Sequence, residues 1–375
     1  MKRTSLFALS IFIAAITTGG VAHAANVPAH AGGISAHNIR AIQHTLMNNT
    51  FQTFEGSVAA TLGMRGTLGA PQDEQPINPK QNPAELYGRM PIYGTMPMYG
   101  EYGDDSGVFR GRNGGDDMFE RPTLHSTWLN WQHVDDNASF HDMPTLDSDY
   151  NLIMFGLAGG DAQFGQGISD WGLFGGYIDA TQENDFINID EKGGFVGLYS
   201  GYGFGGVNVS LAANVGALYN SAEYNIHTDE YANLFAGLGA KVTYNIALDA
   251  TFTLQPGVYG GYTWIRGANY TMSDGTHVAN NNFNMLEVTP GLRAIKHIGN
   301  NWFGFIGAKY VFNFEHGGDA SAAGAQLADL DSDNYSEYGI GIEKSIDRFN
   351  MSVNVGRRDG GRSGWTWGTS LKYIF

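Results

Sequence analysis

The chain has 375 residues, with 53 Gly, 19 Tyr, 22 Phe, 7 Trp, no Cys, only 15% charged residues and a formal net charge of −16. So acidic a chain offers no electrostatic footprint for nucleic acid. A chain without Cys has no disulfide framework, no thiol nucleophile and no Cys-type zinc site.

Lys2 and Arg3 precede a short apolar stretch from Leu6 to Ile16, and Ala22-His23-Ala24 supplies a small-x-small pattern. This predicts a secretory signal over residues 1–24, cut between Ala24 and Ala25. The apolar run is shorter than the ~20 residues of a membrane-spanning helix. No later window reaches that length, so a membrane crossing after export has to use strands.

Residues 25–68 hold a short N-terminal segment and a predicted amphipathic helix. Ile42, Leu46, Thr50, Phe54, Val58 and Leu62 recur every four residues, a one-sided stripe over Ser35 to about Met64. At 1.5 Å per residue such a helix is roughly 45 Å long, enough to thread a barrel. Residues 69–122 have no period and carry Pro71, Pro76, Pro79, Pro83, Pro91 and Pro97 amid Gly, Tyr and Asp. That composition predicts a flexible linker.

From residue 123 to 375 the period is two. In the last strand Trp365, Trp367, Thr369, Leu371, Tyr373 and Phe375 alternate with Gly364, Thr366, Gly368, Ser370, Lys372 and Ile374. One face is apolar and aromatic, the other small or polar. Phe349 to Val355 and Tyr338 to Ile342 repeat it. Similar stretches lie near 126–134, 150–159, 168–181, 192–204, 205–220, 232–246, 249–265, 284–296 and 301–314. About twelve strands of 9–12 residues, an even number in one meander with aromatics at strand ends, predict an all-β, transmembrane, antiparallel barrel. Trp171, Tyr177, Trp264, Trp302, Phe314, Trp365 and Tyr373 suit its girdles. A soluble β-sandwich shares the alternation, but not the long meander that ends inside its last strand on an aromatic residue.

The closing pattern of Thr366, Gly368, Leu371, Tyr373 and Phe375 resembles the carboxy-terminal assembly signal of bacterial outer-membrane barrels. The region from about 120 to 375 resembles the autotransporter β-domain of type V secretion. The pieces that carry the likeness are Trp171–Tyr177, the Gly/Tyr stretch 197–203, Leu254-Gln255-Pro256 followed by Tyr262, and Gly339-Ile340-Gly341. The resemblance implies a twelve-stranded barrel in the outer membrane of a Gram-negative cell, often with a helix in its pore. It implies as partners outer-membrane lipid and lipopolysaccharide, the barrel assembly machinery and periplasmic chaperones. It also implies a monomeric, non-enzymatic barrel. Glu287 and Arg293 fall on the inward parity of their strand, and in this family inward charges line the pore. A passenger normally precedes the helix, whereas only about ten residues lie between Ala25 and Ser35. A standalone channel or a surface-structural or adhesin barrel that exports nothing is therefore the alternative. The simpler threading has the helix entering from outside, with the 69–122 linker in the periplasm.

Other chemistry is weakly signalled. Asn48-Asn49 is a pair that could cyclise and cleave if carboxylates held it. Asp329-x-Asp331-x-Asp333 begins like a calcium loop but has Asn334 and Ile340 where Gly and Glu are needed. Gly201-x-Gly203-x-Gly205 opens no helix, and His125, His133 and His141 lack metal spacing. No Gly-x-Ser-x-Gly elbow occurs. No cofactor is expected.

Overall fold

The computed structural model describes residues 27–63, 124–140, 143–164, 167–204, 206–317, 320–323, 325–327, 330 and 333–375. The predicted cut between Ala24 and Ala25 and the linker 69–122 lie outside them.

A 3-10 turn, Val27–His30, leads into one helix, α1, Ala31–Gly63. Twelve long strands follow: β1 Leu124–Phe140, β2 Met143–Phe164, β3 Gly167–Asn184, β4 Ile187–Phe204, β5 Val207–Tyr224 and β6 His227–Tyr244. After them come β7 Phe252–Ile265, β8 Phe283–Gly299, β9 Trp302–Gly317, β10 Tyr335–Ile346, β11 Phe349–Gly360 and β12 Arg362–Ile374. Each pairs antiparallel with its neighbours in sequence. The ring closes where β12 pairs with β1, from Ser126 opposite Ile374 to Ala138 opposite Arg362. Closure leaves no sheet edge unpaired, the requirement for a strand-built membrane crossing. The expected all-β, twelve-stranded antiparallel barrel with an N-terminal helix is the architecture found.

Most of the strands are longer than expected. Those of β3 to β6 run 18 residues each. At 3.3 Å per residue and a tilt near 40°, such a strand rises roughly 45 Å, well above an apolar band about 25 Å tall. The extra length lies at the end carrying the β1–β2, β3–β4 and β5–β6 hairpins, termed here the far end. The terminal end carries the start of β1 and the end of β12.

Near the terminal end the outer face is apolar, with Leu129, Phe155, Leu173, Val196, Leu198, Leu211 and Val215 exposed. The inner face there mixes glycines and amides with buried apolar side chains, and rings such as Trp128, Phe195 and Tyr199 lie on glycines of the next strand. A side chain at Gly176 would meet the Phe195 ring at 2.5 Å, and one at Gly172 the Tyr199 ring at 2.3 Å. These glycines are needed for the space they leave.

The helix begins at Ala31 rather than Ser35. Gly32 and Gly33 precede the expected start, and each sits where a neighbour presses close: a Cβ would lie 2.6 Å from Asn280 Nδ2 and 2.9 Å from Leu330 Cδ1 respectively. The stripe of Ile42, Leu46 and Thr50 is buried, but so is every residue from Ala29 to Phe51. Over this stretch the helix has no solvent-facing side, so it is not amphipathic in the expected sense.

Candidate functional site

Most polar side chains of α1 from Ser35 to Thr45 meet inward-pointing side chains from strands around the ring, while the His37 ring nitrogens have no hydrogen-bond partner among the described residues. Reading down the helix from the far end, Ser35 Oγ lies 2.8 Å from Tyr231 OH on β6. Asn38 donates its amide to Glu191 on β4 at 2.5 Å and accepts from Ser148 on β2 at 3.2 Å. Glu191 also accepts from Gln182 on β3. Arg40 donates to Glu315 on β9 at 2.7 Å. Gln43 and Asn214 on β5 exchange amide hydrogen bonds in both directions, at 2.8 and 2.9 Å. Phe51 packs on Tyr259 of β7.

Around His44 the contacts become ionic. Its Nδ1 is 2.5 Å from Glu287 on β8, which also accepts from Thr289 at 2.7 Å. Its Nε2 is 3.1 Å from the Lys309 ammonium on β9. An ammonium has only protons to offer, so the ring proton belongs on Nδ1, facing Glu287. Lys309 pairs with Glu337 on β10 at 2.8 Å, and Glu337 with Arg358 on β11 at 3.2 Å. Arg358 reaches Asp136 on β1 at 2.6 Å, and Arg362 on β12 holds the same carboxylate by two oxygens. Arg358 also donates to Thr45 of the helix at 3.0 Å. Alternating charges thus run Glu287, Lys309, Glu337, Arg358, Asp136, Arg362, with the His44 ring bridging the first two and Thr45 meeting Arg358, so the series touches the helix at both residues. Bidentate, desolvated arginine–carboxylate pairs of this kind fix geometry strongly.

Of the two inward residues picked from sequence, Glu287 is buried and bonded to the helix. Arg293 lies six residues nearer the terminal end, its guanidinium 4.0 Å over the Phe305 ring, roughly 20 Å away at 3.3 Å per residue. The two do not meet. Asp136, Lys309, Glu337, Arg358 and Arg362 were missed, although each has inward parity on its strand, the signal that marked Glu287. The Asn48 amide is engaged by His44, at 2.8 Å to its carbonyl and 3.0 Å to Nε2. Glu287 is committed to His44 and Thr289. Among the described residues no cluster of three His, Asp or Glu could hold a metal ion.

At the closing strand, Gly368 faces inward, where a Cβ would lie 2.4 Å from Gln132 Oε1. Leu371 and Phe375 are exposed on the outer face. Tyr373 packs against Phe349 of β11, centroids 4.8 Å apart, and against Phe375 at 5.4 Å.

A family model described as Autotransporter beta-domain matches residues 128–370. The β domain of the Bordetella autotransporter BrkA superposes with a TM-score of 0.57 at 17% identity, covering 67% of this chain and 99% of that one. The transport unit of AIDA-I from Escherichia coli gives 0.54 at 20% identity, covering 69% and 93%. The translocator domain of NalP from Neisseria meningitidis gives 0.56 at 12% identity, covering 67% and 89%. No curated protein matches the chain.

Proposed function

Because the chain belongs to the autotransporter β-domain family, an outer-membrane barrel family, we propose that it is a translocator-type barrel whose pore is occupied by its own helix α1 and which performs no catalysis. The observation that carries this reading is the pairing of helix and wall. A segment merely in transit needs no partner for each polar residue. Here Asn38, Arg40, Gln43 and His44 each find a specific side chain on a different strand. Leaving any of them would strand a buried polar group, at about 1–3 kcal/mol apiece, which argues for a resident plug.

In this reading the terminal end faces the periplasm and the far end the cell surface, so α1 enters from outside. Outer-membrane lipid and lipopolysaccharide meet the apolar band, and one copy of the chain forms the whole ring. Gly368, Leu371, Tyr373 and Phe375 form the edge offered to the barrel assembly machinery after chaperones deliver the chain. An edge strand with alternating aromatics is a natural template for strand addition. Slower insertion of Phe375→Asp checks that role; unchanged insertion would remove it.

Conductance tests the plug. The intact protein in planar bilayers should show little current, and deletion of Val27–Gly63 should open a channel. A large steady conductance in the intact protein would favour the standalone channel instead.

A further inference from the structure

The far end carries structure that neither the ring nor the helix pairing requires. Four short segments form a separate sheet in the order Ala325–Gln326, Ala320–Ala322, His277–Asn280, Tyr270–Thr271. They come from the β7–β8 and β9–β10 connections and pair with one another, with Val278 opposite Ala322 and His277 opposite Thr271. Beneath this sheet lies the first turn of the chain's described part. Ala29, Ala31 and Ile34 are at most 1% exposed, in one apolar cluster with Tyr270, Val278, Ala322 and Leu330. Tyr270 OH donates to the Pro28 carbonyl at 3.3 Å, and its ring stacks on Tyr231 at 4.9 Å. The close approach that Gly32 and Gly33 permit is to this cover.

The cover is joined to the rim of the wall through one carboxylate. Asp229, near the start of β6 and 5% exposed, accepts from the Ser273 backbone N–H at 2.8 Å, from Ser273 Oγ at 2.6 Å and from Tyr224 OH at 2.5 Å. Ser273 Oγ is also 3.0 Å from the Thr228 carbonyl. The β7–β8 connection is thus bonded to the wall at a single buried acceptor, and the β9–β10 connection is held to it by a few ladder bonds.

We propose that this small sheet is a lid that closes over the N-terminal turn of α1 and is latched to the wall by Asp229. Closed, it seals the far end and keeps Ala29–Ile34 out of water. Open, it frees the turn while the ring and the pairs from Asn38 downward stay intact. Opening is then the first step of any withdrawal or display of the helix. The lid stands on its own contacts, whether or not the helix blocks conductance.

The absence of Cys allows a direct test on the folded protein in detergent, where sidedness does not matter. Ala29→Cys should react with a maleimide at least 100-fold more slowly than Ile226→Cys, a position 93% exposed at the β5–β6 tip. Adding Asp229→Ala should speed labelling at position 29 at least tenfold and leave position 226 and the heat-modifiable gel shift unchanged. Equal rates at the two sites, or an Asp229→Ala effect under twofold, would overturn the lid. If Ala29→Cys does not fold, amide exchange decides without it. Residues 27–34 of Asp229→Ala should exchange faster than in the native chain while 40–50 do not change; unaltered protection at 27–34 would overturn it equally.

Discussion

On β1 to β6 the same strand faces opposite surroundings at its two ends. Toward the terminal end, Phe155, Leu173, Val196 and Val215 point out, while glycines, amides and buried rings such as Trp128, Phe174 and Phe195 point in. Toward the far end the outer face turns acidic. Asp135, Asp149, Asp179, Asp190, Glu223 and Glu230 are exposed outside, while Leu146, Ile178, Ile187, Ile189 and Ala222 are buried inside. The switch takes about four residues. The cross-strand row Trp131, Ile153, Tyr177 is the top of the apolar band, and the row Asp135, Asp149, Thr181, Asp190, Ser221, Glu230 lies just above it. The lower wall is faced for lipid and the upper wall for water, over an interior that holds both apolar side chains and the charges of Asp136, Glu191, Arg358 and Arg362. The helix passes from the apolar rim, where Ala29, Ala31 and Ile34 lie, into its most polar stretch, Asn38 to His44, whose first partners, Ser148 and Glu191, sit at the level of the acidic row.

The largest effect should come from breaking the inner ionic chain where it is driest. Asp136 is 1% exposed and Arg358 likewise, with Arg362 at 5%. Asp136→Asn leaves two buried guanidinium groups short of their carboxylate, which typically costs about 3–5 kcal/mol. The expected outcome is a lower urea or thermal midpoint of the heat-modifiable form. A variant that unfolds with the native chain would show that the pairs stabilise nothing.

That network also measures how far the sequence could be read. Alternation located all twelve strands, because lipid on one side and a filled interior on the other force a period of two. It cut most strands short, because above the band the apolar parity changes face and the pattern cancels itself. The stripe from Ile42 carries no mark of the helix start at Ala31, where Gly32 and Gly33 make room for close neighbours from distant loops. Parity marked Glu287 as inward. Asp136 meets Arg358 and Arg362 only once β12 is known to close on β1, where Asp136 falls opposite Gly364 and no side chain blocks the reach. Such pairing is a property of closure, which a linear pattern does not contain.

The change along the outer face predicts that one substitution should have two outcomes on one face of one strand. Phe155 and Asp149 both point outward on β2, six residues apart. Arginine in the middle of a lipid-facing band costs roughly 2–4 kcal/mol, whereas surface changes in water stay within about 0.5 kcal/mol. Phe155→Arg should therefore reduce the folded fraction recovered in lipid vesicles, and Asp149→Arg should not. Equal losses would mean that the acidic row also lies in the bilayer.

The smallest effect is confined to the upper rim and leaves the barrel folded. Burial lowers His30 from 6.5 to about 4, so the imidazole is held neutral in the turn beneath the lid. Opening would return it to water and to its ordinary value. Between pH 6.5 and about 4 the open state then binds a proton that the closed state does not. Closure is fully favoured above that window and weakens as pH falls through it, by up to about tenfold in the open fraction per pH unit. Maleimide labelling of Ala29→Cys, divided by that of Ile226→Cys to remove the thiol's own pH dependence, should rise on acidification from pH 6.5. His30→Leu should flatten that rise while keeping the turn buried. A ratio that stays level in the native-histidine background would separate the lid from His30, and a rise that survives His30→Leu would assign it to another group.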